Sequence, residues 1–252
     1  MKIIVSVKQV PSRDSALKVN ADGKWLDESD LSFEMNEPDA YALEEALQLK
    51  EKLGGEVVVL SAGPERVMQT IREALAKGAD RAIHVAVNDE GTLDALATAN
   101  LLAKALAQEA PDLILTGLQS DDLGYGQTGV VLAELMGFAH ATIVMEVEPL
   151  GSSIRVKREL EDGWFQYVVL PLPAVLTIQS GIKKLRYATL MGIKKAKTKE
   201  MKTVSAAPVE AGAAIEQVYL PQRSKQSQIL SGDPKDVAKQ LVEKLKFEAR
   251  VI

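Results

Sequence analysis

The chain has 252 residues, with 30 lysines and arginines against 35 acidic residues and a formal net charge of −5. The absence of cysteine excludes disulfides, Cys-ligated metal centres and a cysteine nucleophile, and two histidines are too few for a multi-histidine metal site. The negative charge argues against general nucleic-acid binding. No apolar run reaches the roughly 18 residues of a membrane-spanning helix. Since the first residues resemble a strand rather than a signal peptide, we expect a cytoplasmic protein, with a processed mitochondrial matrix form as the alternative.

Strand and helix signals alternate along the first half of the chain. A β-rich run at residues 2–7 precedes a stretch with apolar residues at helical spacing, in which Pro38 and Asp39 suit the first turn. The predicted strands are 2–7, 56–60, 81–87 and 112–116, and the predicted helices are 38–53, 65–77, 92–108 and 126–136. Uniformly apolar strands separated by amphipathic helices predict an α/β fold with a mostly parallel, doubly wound sheet.

The pattern changes in the second half. Strand-like runs at 142–147, 154–160 and 164–170, with hairpin chemistry at Glu161-Asp162-Gly163, predict added antiparallel strands at one edge of the sheet. A short strand is predicted at 174–179, the pattern weakens from Ile193, and a last helix is predicted at 234–247. We therefore divide the chain into an α/β nucleotide-binding domain, 1–202, and a linker with a C-terminal helical arm, 203–252. Because so short a helix is marginal alone, the arm needs a surface to pack on, either its own domain or another chain. We assign it to a partner subunit.

Charge is concentrated in two segments. Residues 22–48 hold nine acids and one base, and residues 183–202 hold eight bases and one acid. Each run is either a solvated face or a docking surface, on which charge would raise association rates more than affinity.

One glycine-rich turn is a candidate ligand site. Gly124-Tyr125-Gly126-Gln127-Thr128-Gly129 fits the dinucleotide pattern G-x-G-x-x-G, but it follows the fourth strand after a polar loop, which argues against the true fingerprint. Glycines at a helix start still allow backbone N–H groups to approach a phosphate, and the alternative is a plain turn. The loops at 8–11 and 61–64 should lie beside it at the carboxyl edge of the sheet, so the three loops together fit one nucleotide.

No self-contained catalytic set is evident. His84 lies in an apolar strand and is expected to be structural, and the adjacent Glu44 and Glu45 face different directions on a helix, which makes them a poor acid/base pair. Trp25 and Trp164 are interpreted as packing residues rather than stacking platforms. We therefore expect no catalytic residues and no metal site.

Several segments resemble electron transfer flavoprotein beta subunits, and the resemblance covers nearly the whole chain. The most specific are Val156-Lys157-Arg158-Glu159-Leu160-Glu161-Asp162-Gly163, Pro173-Ala174-Val175-Leu176-Thr177 and Arg186-Tyr187-Ala188-Thr189-Leu190. The resemblance implies a Rossmann-like, adenine-nucleotide-binding fold and a heterodimer with an alpha subunit. It implies one FAD held mainly by alpha and a structural AMP in beta. It further implies electron flow from dehydrogenases to a quinone reductase or another acceptor, without catalytic turnover by beta itself.

The same resemblance implies two sets of site residues. The implied AMP contacts are Ser6, Asn36, Glu37, Pro38, Asp39, Ala62, Asp122, Leu123, Gly124, Tyr125, Gly126, Gln127, Thr128, Gly129, Val130, Val131, Leu132 and Ala133. The implied partner-docking residues are Glu159, Tyr187, Ala188, Thr189, Leu190, Met191, Gly192, Ile193, Lys194 and Lys195, with Leu190 as the apolar anchor. The alternative for Leu190 is packing in the domain's own core.

Two departures from the family pattern bear on the cofactors. Some members carry an aromatic residue near the flavin after the first strand, where this chain reads Ser12-Arg13-Asp14. Bifurcating members bind a second FAD in place of AMP and usually carry an Asp-Gly-Asp-Thr type of loop, where this chain reads Ser120-Asp121-Asp122-Leu123. The sequence therefore favours AMP, with the second FAD as the alternative.

Two further classes stay open. A stand-alone nucleotide-binding protein of the universal-stress type shares the parallel sheet but lacks a long C-terminal arm and should form a homodimer. A nucleotide-hydrolysing enzyme is disfavoured because neither a Walker loop nor a pyrophosphatase loop is present.

Overall fold

The computed structural model describes residues 1–87, 93–221 and 227–252, in two compact units, Met1–Val218 and Tyr219–Ile252. The helices of the first unit are α1 (Glu37–Leu53), α2 (Met68–Lys77, preceded by a 3₁₀ turn at Glu65–Val67), α3 (Ala95–Leu106), α4 (Thr128–Met136) and α5 (Leu190–Ala196). Its strands are β1 (Lys2–Ser6), β2 (Gln9–Pro11), β3 (Phe33–Met35), β4 (Glu56–Gly63), β5 (Arg81–Ala86), β6 (Leu113–Gly117), β7 (Ala139–Pro149), β8 (Ser153–Glu159), β9 (Phe165–Pro171), β10 (Ala174–Ile178) and β11 (Met201–Ser205).

Nine of the described strands form one sheet in the order β11-β5-β4-β1-β6-β10-β7-β8-β9, and β2 pairs with β3 separately. The pairs from β11 to β7 are parallel, whereas β7-β8 and β8-β9 are antiparallel. The predicted α/β fold with antiparallel strands at one edge is therefore confirmed. The hairpin between β8 and β9 turns at Asp162 and Gly163, both with positive φ, as the sequence indicated.

Both faces of the sheet are covered. One face, with Ile3, Val5 and Val59, packs against apolar residues of α1 and α2, and the other, with Ile4, Val58 and Ile114, packs against α3 and α4. Burial on both faces explains why the central strands are uniformly apolar rather than alternating.

Three details differ from the sequence-based expectation. α3 begins at Ala95, where Asp94 accepts the Ala97 amide, and the predicted start at Thr92 lies outside the described residues. β10 inserts between β6 and β7 inside the parallel sheet. β11 pairs with β5 at the other edge, so the expected boundary after Lys202 falls within a strand. The weakly patterned sequence of β11 reflects its position at the edge, where the strand has one neighbour and none of its residues is fully buried.

Residues 206–218 continue from β11 within the first unit. Ala206 and Val209 pack against the apolar cluster on the α3 side of the sheet. The Gly212 and Ala213 amides donate to the Asp94 carboxylate, and the Val218 amide donates to the Gly23 carbonyl at 2.7 Å. This segment is therefore fixed to the domain although its sequence has no regular period.

In the second unit, α6 (Pro234–Glu243) begins at Asp233, whose carboxylate accepts the Lys235 amide, and continues into a π-helical turn at Lys244–Glu248. The predicted last helix is thereby confirmed. Large apolar side chains of this unit are exposed, namely Tyr219, Leu220, Ile229, Leu241, Val242, Phe247, Val251 and Ile252.

Candidate nucleotide cleft and docking surface

A cleft with a cavity volume of about 130 Å³ lies at the carboxyl edge of the parallel strands. This edge is where α/β sheets bind ligands. Eleven of the expected AMP contacts line it: Ser6, Asn36, Asp39, Ala62, Asp122, Leu123, Tyr125, Gly126, Gln127, Thr128 and Gly129. The three loops that the sequence placed at one edge therefore meet around one cavity.

The glycine turn leads into the N-terminus of α4, which faces this cleft. Gln127 provides no side-chain cap, and as at any helix start the first amides have no intrahelical partner. An added Cβ at Gly129 would lie 2.6 Å from Thr177 Cγ2 and 2.7 Å from Thr116 Oγ1, so α4 packs directly on β6 and β10. Gly126 has φ +63°, a conformation that glycine adopts readily. The arrangement presents unpaired backbone donors and a helix dipole to the cleft.

Asn36 ties α1 to the loop that follows β6. Its Nδ2 donates to the Gln119 carbonyl at 2.9 Å, and its Oδ1 accepts the Asp121 amide at 2.9 Å. Both polar ends of this buried side chain are used within the chain. Asn36 therefore positions the loop beside the cleft.

Asp39 connects β6 to the loop that follows β1. Oδ1 accepts the Gly117 amide and Oδ2 accepts the Lys8 amide, each at 2.8 Å. Burial raises the pKa of the Asp39 carboxyl to about 7, because desolvation of the charged form outweighs the two amide bonds that favour it. The sequence assigned Asp39 to the helix dipole, whereas the structure uses it as a bridge between two loops of the cleft.

We predict that Asp39→Asn lowers the free energy of unfolding by about 1–3 kcal/mol, because the new NH₂ group would face a backbone donor. A carboxyl whose pKa rises on folding stabilises the folded state below its unfolded pKa of about 3.8, and this contribution is lost as the pH rises through about 7. The difference between wild type and Asp39→Asn should therefore be larger at pH 5 than at pH 8 in urea unfolding.

Asp121→Asn is the matched control, since this exposed carboxylate pairs with Arg13 at the surface. It should change the unfolding free energy little at either pH. An equal cost of Asp39→Asn at the two pH values would contradict the prediction.

Two cations, Lys8 and Arg13, make three ion pairs on the acidic side of the cleft. Lys8 Nζ lies 2.7 Å from the Asp122 carboxylate, and Arg13 pairs with both Glu37 and Asp121. Burial alone would raise the pKa of Asp122, but Lys8 holds it below its usual value. The Asp121 and Asp122 carboxylates are therefore each paired with a cation of the same chain.

The other expected AMP contacts do not line the cleft. Glu37 pairs with Arg13, Pro38 packs beside Gly117, and Gly124 turns the loop with φ +64°. Val130, Val131, Leu132 and Ala133 lie farther along α4, and the last two are fully buried in the core.

Some cleft residues were not identified from the sequence. They include Trp25, Leu93, Asp94, Ala95, Thr98 and Leu102. Trp25 comes from the loop between β2 and β3, and the α3 residues come from a strand-to-helix junction whose position at the same edge follows from the parallel topology. That junction could have been included on topology alone, whereas nothing in the sequence indicated the approach of Trp25.

The docking surface is defined as residues 187–195, most of which are exposed, together with the half-buried Glu159 at the end of β8. Leu190 is 82% exposed and Tyr187 is 91% exposed, which excludes the alternative that Leu190 packs in the core. Thr189 Oγ1 accepts the Gly192 amide at 3.0 Å and begins α5. An added Cβ at Gly192 would lie 2.2 Å from the Ala76 carbonyl, so α5 rests closely on the end of α2.

Comparison with known proteins agrees with this architecture. The sequence matches the family described as electron transfer flavoprotein domain over residues 24–209. The chain is 41% identical over 257 residues to electron transfer flavoprotein subunit beta of Bradyrhizobium diazoefficiens, with 100% of both chains covered. It is 39% identical over 243 residues to that subunit of Methylophilus methylotrophus, covering 91% of this chain and 92% of the relative. This chain belongs to the electron transfer flavoprotein family.

The match extends beyond bacteria. The chain is 37% identical over 207 residues to electron transfer flavoprotein subunit beta of Homo sapiens, with 81% of each chain covered. The chain is thus a beta subunit of the electron transfer flavoprotein type and a component of an electron carrier. This result decides against the stand-alone, universal-stress-like alternative. Flavin involvement follows from the family in general terms.

The basic run of this electron transfer flavoprotein subunit has two parts. Arg186 makes a bidentate pair with the buried Glu44 at 2.8 and 3.0 Å, and Lys183 lies 3.6 Å from the buried Glu45. Lys199 Nζ donates to the carbonyls of Leu75 and Ala79 at the end of α2. These cations anchor the docking surface to the domain, whereas Lys184, Lys194, Lys195 and Lys197 are exposed.

Within 1–87, 93–221 and 227–252, no group of three or more potential ligands could hold a metal ion. In the same ranges, no helix has the length and apolar composition required to cross a bilayer.

Proposed function

We propose that this chain forms a heterodimer with an FAD-carrying alpha subunit, accepts electrons from dehydrogenases and delivers them to a quinone reductase or another acceptor. In this proposal the beta subunit has no catalytic turnover of its own. It holds a structural AMP in the sheet-edge cleft and presents the docking surface to the partners. The observation that carries the proposal is the sheet-edge cleft, which is lined by residues of the Asp122–Gly129 turn at the start of α4.

The cleft residues fit a mononucleotide. The amides at the start of α4 would bind the phosphate, because they are unpaired and lie at the positive end of the helix dipole. Asp39, Asp94 and Asp122 keep the loops in place through hydrogen bonds and an ion pair within the chain. These carboxylates therefore already have partners before the ligand binds. AMP would thereby join α3, α4 and the loops of β1 and β6 without reacting.

The flavin supplies the electron transfer, and this chain would act on it through the docking surface. Leu190, exposed at the start of α5, would insert into an apolar site of a dehydrogenase, while the exposed lysines around it would attract an acidic surface. Glu159 lies at the end of β8, where its carboxylate accepts Gln179 Nε2 at 3.1 Å. The docking surface is therefore built on rigid elements.

The test is to purify the chain together with an alpha subunit and to identify the nucleotides released on denaturation by mass spectrometry. We expect one FAD and one AMP per heterodimer. Two FAD and no AMP would show a bifurcating type of beta subunit. Finding no adenine nucleotide beyond that of a single FAD would overturn the AMP assignment.

We predict that Gly126→Val weakens AMP binding several-fold or more. Its φ of +63° is strained for a β-branched residue, although an added Cβ would meet nothing closer than 3.8 Å. The distorted turn should move the phosphate-binding amides of α4. Isothermal titration of the full chain with AMP measures the loss.

Gly137→Val is the matched control. Gly137 ends the same helix with φ +66° and open space around its Cα, but it does not line the cleft. Both variants should lose similar stability, and only Gly126→Val should lose AMP affinity. Equal AMP affinity in the two variants would contradict the role of the turn.

A further inference from the structure

Trp25 is held in the wall of the cleft by bonds at both its backbone and its indole. Its amide donates to Asn20 Oδ1 at 3.2 Å, its carbonyl accepts the Asn20 amide at 2.8 Å, and its Nε1 donates to the Glu28 carboxylate at 3.1 Å. Trp25 is one of the residues that line the cleft, and since the N–H of its indole is satisfied inside the chain, the rest of the ring is apolar.

The turn that carries Trp25 is also fixed from the other side of the cleft. Asp94 binds the Gly212 and Ala213 amides, and Val218 binds the Gly23 carbonyl. Five peptide units of about 3.6 Å limit the distance from Ala213 to Val218 to about 18 Å. The segment therefore links the start of α3 to the Trp25 turn across one side of the cleft.

The lining of the cleft differs in chemical character between its elements. The α4 turn contributes backbone donors, whereas Leu93, Ala95 and Leu102 contribute apolar side chains and Trp25 contributes an aromatic ring. A nucleotide has the same division, with an anionic phosphate and a flat base whose faces stack on aromatic rings.

We propose that Trp25 is a specificity-determining residue that stacks on the base of the bound nucleotide, while the α4 turn binds its phosphate. This inference rests on the proposed nucleotide function of the cleft. Because two backbone hydrogen bonds fix its turn and one bond from Nε1 to Glu28 restrains its indole, Trp25 loses little conformational freedom on stacking.

The experiment compares two ligands and three variants by isothermal titration of the full chain. AMP contains the base, and ribose 5-phosphate has the sugar and phosphate without it. Trp25→Ala should weaken AMP binding about tenfold or more and leave the affinity for ribose 5-phosphate unchanged. Trp25→Phe should retain most of the AMP affinity, because it keeps an aromatic face.

Trp164→Phe is the control and a second probe. Trp164 is 72% exposed and does not line the cleft, so its replacement should leave AMP binding unchanged. The variant keeps Trp25 as its only tryptophan, and AMP should quench its fluorescence while ribose 5-phosphate should not. This readout does not depend on the folding of a Trp25 variant.

The outcomes separate this inference from the function on which it rests. The stacking role would be overturned, with the AMP site intact, by three results together. The wild type binds AMP, AMP leaves the fluorescence of Trp164→Phe unchanged, and Trp25→Ala keeps the wild-type affinity for AMP. Equal losses for AMP and ribose 5-phosphate would show a structural role for Trp25 and would also overturn it. Failure of the wild type to bind AMP would overturn both proposals.

Discussion

Removal of residues 219–252 is expected to abolish stable association with the alpha subunit while leaving the α/β unit folded. The second compact unit exposes large apolar side chains, including Tyr219, Ile229 and Phe247. A helix as short as α6 is marginal alone and gains its stability by packing its apolar face. We propose that the alpha subunit provides that packing surface. The association is measured by gel filtration of the chain truncated after Val218 together with the alpha subunit. We expect the two not to co-elute.

Truncation after Lys202 is the contrasting variant. It would remove Thr203, Val204 and Ser205 from their pairing with β5, together with the bonds from 206–218 to Asp94 and Gly23. This shorter chain should melt at a lower temperature, whereas the chain ending at Val218 should melt close to the first transition of the intact chain. Co-elution of the 1–218 chain with alpha at full strength would refute the role of the arm.

Leu190→Ala is expected to slow electron transfer from a dehydrogenase about tenfold or more, without changing FAD or AMP content. The loss of an apolar anchor from the centre of a small interface costs about 2 kcal/mol, which corresponds to roughly thirty-fold in affinity. Because the side chain is 82% exposed, its truncation should leave the melting temperature unchanged. Steady-state reduction of the heterodimer, measured beside a melting curve, tests both parts.

Leu150→Ala is a matched control, since Leu150 is also exposed but lies on the turn between β7 and β8. It should change neither the rate nor the stability. Four exposed lysines should speed association with the dehydrogenase by attracting its acidic surface, namely Lys184, Lys194, Lys195 and Lys197. The rate of electron transfer should therefore fall as added salt shortens the range of their electric field below about 8 Å. An unchanged rate in Leu190→Ala would remove Leu190 from the docking role.

The fold could be predicted from the sequence because its signals are local. Uniformly apolar strands between amphipathic helices required a parallel sheet with two covered faces, and Gly163 in the β8–β9 turn required a hairpin. Topology then brought the loops after β1, β4 and β6 to one edge, so the position of the cleft followed as well. β11 was missed because an edge strand has one partner and little burial to shape its sequence.

The roles of individual side chains were decided by distances that no local pattern contains. Asp39 suits a helix start by its chemistry, yet it binds amides from two loops. Glu44 and Glu45 belong to an acidic run that could have been solvated, but both are buried beside Arg186 and Lys183 from the basic run. The opposite charges of the two runs therefore meet partly within one chain, which leaves a smaller set of lysines for partners.

The sequence by itself determined the sheet, the glycine turn before α4 and the family, since these depend on periodicity, glycine and contiguous motifs. Only the tertiary structure decided which residues surround the cleft and which charges remain free. Trp25 reaches the cleft because hydrogen bonds, including the long-range bond from Val218 to Gly23, hold its turn there. Leu190 is exposed at the start of α5, whose Gly192 packs closely against α2. Such placements depend on contacts between residues far apart in the chain, and a single sequence does not encode them in any local pattern.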